Sequence, residues 1–312
     1  MAEAATYSDS EAPACADLGP PIASTDLDSL REFLGRYARL FVLTGAGVST
    51  DSGIPDYRDA EGEWKRPSRP VQFRDFMTDL ATRKRYWARG LVGWRRMSAA
   101  RPNDAHRSLA SLDRLDRVEQ LVTQNVDGLH QAAGSRSVID LHGRVDVVRC
   151  LSCGKRSPRA QVQAALLARN PAFAELDAAD APDGDADLDG VAFAAFDVPP
   201  CDACGGLLKP DVVFFGESVP RERVAAAMAA LERADAMLVV GSSLMVYSGY
   251  RFAAAMAAAG KPVAAVNLGK TRADDLLALK VTERCADALS FLLDAPTTAR
   301  PELSTSCQRA IS

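Results

Sequence analysis

The chain reads as an α/β protein, a doubly wound, parallel, Rossmann-like sheet that carries a smaller module of zinc ribbon plus helices. Three observations lead there. Short apolar runs at 40–43, 118–123, 137–141, 236–240 and 262–266 alternate with helical stretches, the mark of strand–helix–strand units. Each run gives way to Gly, Asn, Asp, His or Ser, residues suited to the crevice beyond the carboxyl ends of parallel strands. Two Cys-x-x-Cys pairs, Cys150/Cys153 and Cys201/Cys204, flank a region where the periodicity dissolves.

In chain order, the N-terminal stretch is acidic, with neither a basic leader nor an apolar core, and reads as a flexible tail. Ser24 or Thr25 can cap a helix through about Ala38 that gathers Leu27, Leu30, Phe33, Leu34 and Tyr37 on one face. The run Phe41-Val42-Leu43 then meets Gly45-Ala46-Gly47 and the hydroxyls of Ser49, Thr50 and Ser52. A strand, a glycine turn and the start of a helix form a pocket for nucleotide phosphates. Gly53-Ile54-Pro55-Asp56-Tyr57-Arg58 follows as a loop able to fold over a ligand. Between Lys65 and Arg101, eleven basic residues face only Asp75 and Asp79, which makes either a solvated helical face or a surface for an anion. His106, near the start of the helix opened by Pro102, reads as a packing or capping residue.

The layer that binds nucleotide is assigned to 25–66, 107–145 and 210–294, a helical module to 67–106 and the ribbon to 146–209. Residues 1–24 and 295–312 are assigned as disordered tails. Within the ribbon, 170–189 is an insertion rich in Ala, Asp and Pro. Its Asp185-Ala186-Asp187-Leu188-Asp189-Gly190 imitates a calcium loop, but Phe196 stands where a bidentate Glu is needed, so a solvated acidic loop is expected. No apolar run approaches a membrane span, and a net charge of −4 is that of an ordinary soluble, cytoplasmic protein. Without a secretion signal the cysteine pairs favour one closed, structural tetrathiolate zinc site over disulfides. No basic patch surrounds it, so nucleic-acid binding is not expected. His142 ends a strand and precedes a glycine, which turns a group with near-neutral pKa toward the crevice beside Asn125 and Asp127.

GAGVSTDSGIPDYR, TQNVDGLH, LHG, the cysteine pairs, KPDVVFFGE, GSSLMV and a late VN stand in the order found in the sirtuins. The chain resembles that family of NAD-dependent protein-lysine deacylases from about Asp26 to Asp294. RPVQFRDF, RYWAR, VVFFGESV and VYSGYRF are similar to class II, the group of the mitochondrial lipoamidase-type sirtuin.

The resemblance implies a cofactor, NAD+, lined by Gly45, Ala46, Gly47, Ser49, Gly241, Ser242, Ser243, Asn267, Leu268 and Gly269. Ile54, Pro55, Asp56 and Arg58 would form the cofactor loop, and Gln124 and Asn125 would hold ribose. Val126 would also contact the cofactor, Asp127 would bind the nicotinamide amide, and the Cys285 backbone would lie near adenine. His142, with Asn125 and Asp127, would be catalytic, removing a ribose hydroxyl proton. The products would be nicotinamide, free lysine and O-acyl-ADP-ribose. Val213, Phe215, Gly216 and Met245 would clamp an acyl-lysine protein segment as an added strand. Tyr86 and Arg89, three apart on a helix, match a pair that binds a terminal acyl carboxylate. An NAD-dependent ADP-ribosyltransferase and a non-catalytic NAD sensor are the alternative classes.

Overall fold

In the computed structural model, the residues described are 22–23, 27–65, 70–176, 180–181, 185–186, 188 and 190–293. The expected tails and the Ser24/Thr25 cap lie outside them. The strands are β1 (Ile22–Ala23), β2 (Leu40–Thr44), β3 (Val118–Thr123), β4 (Val138–Asp140), β5 (Gly143–Cys150), β6 (Arg156–Pro158), β7 (Asp180–Ala181), β8 (Asp185–Ala186), β9 (Leu208–Val212), β10 (Ala236–Val240), β11 (Val263–Val266) and β12 (Leu279–Val281).

Seven of them form one parallel sheet in the order β1-β12-β11-β10-β2-β3-β4. From β2 the chain winds outward to β3 and β4. It then crosses over to β10 and winds the other way, which opens a topological switch point between β2 and β10. All five residues of β2 and of β10 are buried, because helices cover both faces, and this is why they read as unbroken apolar runs. Leu40 and Val42 pack with the helices Leu27–Arg36, Asp104–Arg114 and Cys285–Leu289. Phe41 and Leu43 pack on the opposite face with Arg221–Arg233 and Tyr247–Ala258.

One expectation fails at the glycine turn. No α-helix follows β2; two short 3₁₀ turns, Ala46–Val48 and Thr50–Ser52, take its place, and the next α-helix begins at Phe73. Gly53 adopts a left-handed φ of 83°, and Pro55 follows two residues on, so the helical ladder cannot propagate. The turn glycines also serve a different neighbour from the one expected. A Cβ at Gly45 would lie 2.8 Å from Ser242 Cβ, and one at Gly47 would lie 2.9 Å from the Gly241 carbonyl. Their bareness lets the turns after β2 and β10 nest together.

The smaller module is built on the antiparallel sheet β6-β5-β9. The helix Leu80–Ala99 lies against it and contributes Trp87, Ala88, Leu91 and Val92 to a separate core with Phe76, Leu166, Phe196 and Phe214. Asp79, one of only two acids in the basic stretch, caps this helix by accepting from the N–H groups of Ala81 (3.0 Å) and Thr82 (2.9 Å). No helix among the described residues is long and apolar enough to cross a membrane.

Candidate active site

A continuous cleft of about 1380 Å³ runs from the switch point to the smaller module. That exceeds the roughly 300–1,000 Å³ of most small-molecule sites, leaving room for a dinucleotide and an extended chain together. Gly45, Ala46, Gly47, Asp56, Arg58, Gln124, Asn125, Val126, Gly241, Ser242, Ser243, Asn267, Leu268, Gly269 and Cys285 line it. Ser49, Ile54, Pro55 and Asp127, also expected there, are not among its lining residues.

The wall is held by a polar network. Asn125 Nδ2 donates to the Gly45 carbonyl (3.1 Å) and to Ser49 Oγ (3.0 Å), and Ser49 Oγ donates to Asp127 Oδ2 (2.7 Å). Gln124 Nε2 donates to Ser242 Oγ (2.7 Å), tying the end of β3 to the end of β10. His106 forms the capping box of its helix with Asn103, as a capping residue should, and its ring lies 4.8 Å from that of the buried His130. The amides, hydroxyls and bare turn at the switch point are a donor set suited to a dinucleotide.

His142 sits where the two sheets meet. The Leu141 N–H donates to Thr123 of the main sheet (2.9 Å), Val213 donates to the His142 carbonyl (2.7 Å), and Gly143 pairs with Val212 in the smaller sheet. Its Nδ1 lies 2.9 Å from the Gln124 carbonyl, which can only accept, so Nδ1 carries the proton. The lone pair of the neutral ring is therefore on Nε2, which accepts from the Ser248 hydroxyl at 2.8 Å. Burial, with Arg223 and Arg251 nearby, pushes the imidazole down to about 4, against the opposing pull of the Gln124 carbonyl. At neutral pH His142 is an unprotonated base.

The sulfurs of Cys150, Cys153, Cys201 and Cys204 all lie within 4.8 Å of one another. Cys150 and Cys204 are 3.5 Å apart, and Cys153 and Cys201 are 3.9 Å apart. A tetrahedron with Zn–S distances of about 2.3 Å has edges of about 3.8 Å, so the four thiols fit zinc. Each pair is shaped alike. Gly154 N–H donates to the Cys150 carbonyl (3.0 Å) and Gly205 N–H to the Cys201 carbonyl (2.8 Å), both glycines with left-handed φ. The backbone N–H of Cys153 holds the Cys150 thiol down to about 6, on the way to the thiolate that a metal needs.

On the far side, Val213, Phe215, Gly216 and Met245 also line the cleft. An ion pair of the buried Lys209 with the partly exposed Glu217, at 2.9 Å, holds this edge while Glu217 accepts from Phe214 N–H (2.9 Å). Tyr86 and Arg89 line the same cleft, and Arg89 neither faces solvent nor stands open. Its Nε donates to Asp185 Oδ1 (3.0 Å) and to the Ala186 carbonyl (2.8 Å), and its Nη2 lies 2.9 Å from Asp185 Oδ2. Part of the insertion expected to be a solvated acidic loop thus supplies a counter-ion to the cleft wall. Sequence reasoning missed Trp87, Trp94 and Arg159 as cleft residues, and no local pattern marks them.

The sequence profile of the Sir2 family matches residues 45–248. An NAD-dependent protein deacetylase of Xanthomonas campestris pv. campestris (strain 8004) is 65% identical over 268 residues, 86% of this chain and 91% of the relative. NAD-dependent protein deacetylase 2 of Bradyrhizobium diazoefficiens is 63% identical over 265 residues, 85% of this chain and 97% of the relative. Among solved structures, a Sir2–p53 peptide–NAD+ complex superposes with a TM-score of 0.67 at 29% identity, covering 86% of this chain and 98% of that one. Sir2Tm bound to a propionylated peptide gives 0.68 at 30% identity, covering 86% and 97%. With the switch-point cleft, the tetrathiolate ribbon and an unprotonated histidine where the two sheets join, the likeness extends from sequence to site, and the chain belongs to the Sir2 family, the sirtuins.

Proposed function

We propose that the chain is an NAD-dependent protein-lysine deacylase in which Nε2 of His142 is the general base. The observation that carries this reading is the Nδ1–H···O=C bond to Gln124, which fixes the tautomer and presents the lone pair to the cleft. NAD+ would be held along Gly45–Gly47, Ser242, Ser243 and Asn267, and supplies an electrophilic ribose carbon with nicotinamide as leaving group. The protein's own share is positional. Asn125 and Gln124 are fixed by their bonds to Gly45, Ser49 and Ser242, so their remaining polar atoms are preorganised for ribose. Asp127 orients Ser49 by accepting from its hydroxyl and also accepts from Leu129 N–H (2.8 Å).

A hydroxyl in the cleft must displace the Ser248 hydroxyl to reach Nε2, which keeps the base satisfied until a substrate arrives. Zinc, held by the four cysteines, would act only in folding, because a closed tetrathiolate leaves no position for water. The acyl-lysine segment would add as a strand between Phe215-Gly216 and Met245. Phe73 N–H already donates to the Phe215 carbonyl (2.8 Å), so a peptide pairs on the opposite edge. The exposed Val246 and Tyr247 beside Met245 offer apolar surface for it. The VYSGYRF block, which places Ser248 on the base, supports class II kinship.

The test is nicotinamide release from NAD+ and an acetyl-lysine peptide. His142→Ala should lose about 10²–10⁴ in rate, the usual worth of a general base. Near-wild-type turnover by a folded variant refutes the assignment. ADP-ribose found on protein instead of O-acyl-ADP-ribose in solution would favour transfer over deacylation.

A further inference from the structure

Both banks of the proposed strand clamp lead to an arginine without an acidic partner. On one bank the chain runs from Phe215-Gly216 through Glu217 and Ser218 to Arg221, where the helix Arg221–Arg233 begins. On the other it runs from Met245 through Val246 to Arg251, one turn beyond Tyr247 in the helix Tyr247–Ala258. Arg221 and Arg251 both line the cleft.

Nε of Arg251 is buried and has no hydrogen-bond partner, a costly state for a donor. The ring of Tyr247, its centroid 4.9 Å from Cζ, holds the guanidinium in place. Its charge is felt at His142, which puts it beside the reacting end of the cleft. Arg221 is exposed and forms neither a hydrogen bond nor an ion pair with the described residues. The only acid on either bank, Glu217, is turned to the buried Lys209 (2.9 Å) and to Phe214 N–H (2.9 Å). Three other cations on the cleft wall are answered: Arg89 by Asp185 (2.9 Å), Arg284 by Asp51 (2.5 Å) and Lys65 by Asp56. The chain as a whole is acidic, at −4, so two unpaired guanidiniums here are not a by-product of a basic surface.

We propose that Arg221 and Arg251 select, in the substrate strand, an acidic side chain close in sequence to the acyl-lysine. The inference rests on the deacylase reading and names a feature of its protein substrates. NAD+ along Gly45–Gly47, Ser242, Ser243 and Asn267 leaves the two guanidiniums to the other occupant of the cleft. Successive side chains of an added strand point to opposite faces, so only alternate positions can reach the pair. An aspartate or glutamate there would accept from both banks at once, through charge-assisted hydrogen bonds. Arginine suits this task, because a planar fork can stack on Tyr247 and still bond a carboxylate.

The experiment uses acetyl-lysine peptides, so that the acyl group carries no charge. Aspartate or asparagine is placed in turn at each nearby position on either side of the acyl-lysine, and kcat/KM for nicotinamide release is compared within each pair. Aspartate should win at one position, or at two of alternate spacing, by about three- to tenfold, between an exposed ion pair and a buried charged hydrogen bond. The gain should sit in KM for the peptide, since ground and transition states share the contact. Arg221→Gln should lower the ratio, and Arg251→Gln should bring it near one. Arg251→Glu should reverse it, so that lysine beats aspartate at that position. Should the Arg251 variants fail to fold, Arg221→Gln, on an exposed side chain, must still lower the ratio. Equal rates for aspartate and asparagine at every position, or a ratio preserved in either glutamine variant, overturn the inference. So does a rise in KM for NAD+ with the ratio unchanged, which would assign the arginines to the dinucleotide. Turnover of the asparagine peptides alongside such a result leaves the deacylase reading intact. No nicotinamide release from any peptide overturns both.

Discussion

Acid should unfold this protein through its histidines. All three of them, His106, His130 and His142, lie inside the fold, and burial holds each below its ordinary pKa. For His106 and His142 the value falls to about 4, and His130 goes well below 6.5. An unfolded chain titrates the same rings near 6.5. Between about pH 6.5 and 4 the unfolded state therefore binds more protons than the folded one. Stability is whole above that window and falls as the pH falls through it. For His142 alone, a pKa of 6.5 unfolded against about 4 folded costs about 2 kcal/mol between pH 7 and pH 5. His106, held at the same value, adds a loss of like size and His130 a further one of the same sign, against the roughly 5–15 kcal/mol that holds an ordinary domain together. Protonation of the zinc thiolates adds a loss of the same sign, so the histidine share must be isolated by difference. Urea unfolding of wild type and His142→Gln, at steps from pH 7 to 5, does this. The variant's stability should fall less steeply by about 1.4 kcal/mol per pH unit below pH 6. Parallel curves for the two proteins refute the reasoning.

The other predictions concern the frame around the base. One zinc per chain should be found by elemental analysis, and Cys201→Ser should cost at least about 3 kcal/mol of stability measured by thermal melting, since the metal's binding energy is folding energy. Gly143→Ala should be as damaging or worse, about 3 kcal/mol or more, because its Cβ would fall 1.9 Å from the Asp211 carbonyl at a φ of 84°. Gly53→Ala, with a φ of 83° but nothing within 4 Å, should cost only the left-handed penalty of about 1 kcal/mol in the same denaturation assay.

What was legible in the sequence is what local chemistry enforces. β2, β10 and β11 show because a strand covered on both faces must be apolar throughout, and the helix Arg221–Arg233 shows because an alanine-rich stretch follows Pro220. β1 and β12 do not, since strands of two and three residues carry no period to read. The cysteine ligands are plain because metal geometry demands paired thiols at short spacing. The helix expected after Gly47 was misread because a phosphate-binding turn and a nested turn use the same glycines. Only the packed structure shows that Gly241 fills the space.

Harder to read is charge, because pairing is a tertiary property. On its own, Arg89 in a Tyr-x-x-Arg spacing looks like the receptor for an acyl carboxylate, and Asp185 looks like one acid in a solvated loop. Folding brings them together, so each answers the other across 96 residues of chain. Arg159 sits in Ser157-Pro158-Arg159-Ala160, an ordinary helix start. Its isolation arises only because helix Leu80–Ala99 seats two indole rings and a bare Gly90 carbonyl against it instead of an acid. The same cleft thus holds one arginine against a carboxylate and another against neutral acceptors, a difference that only the folded chain displays.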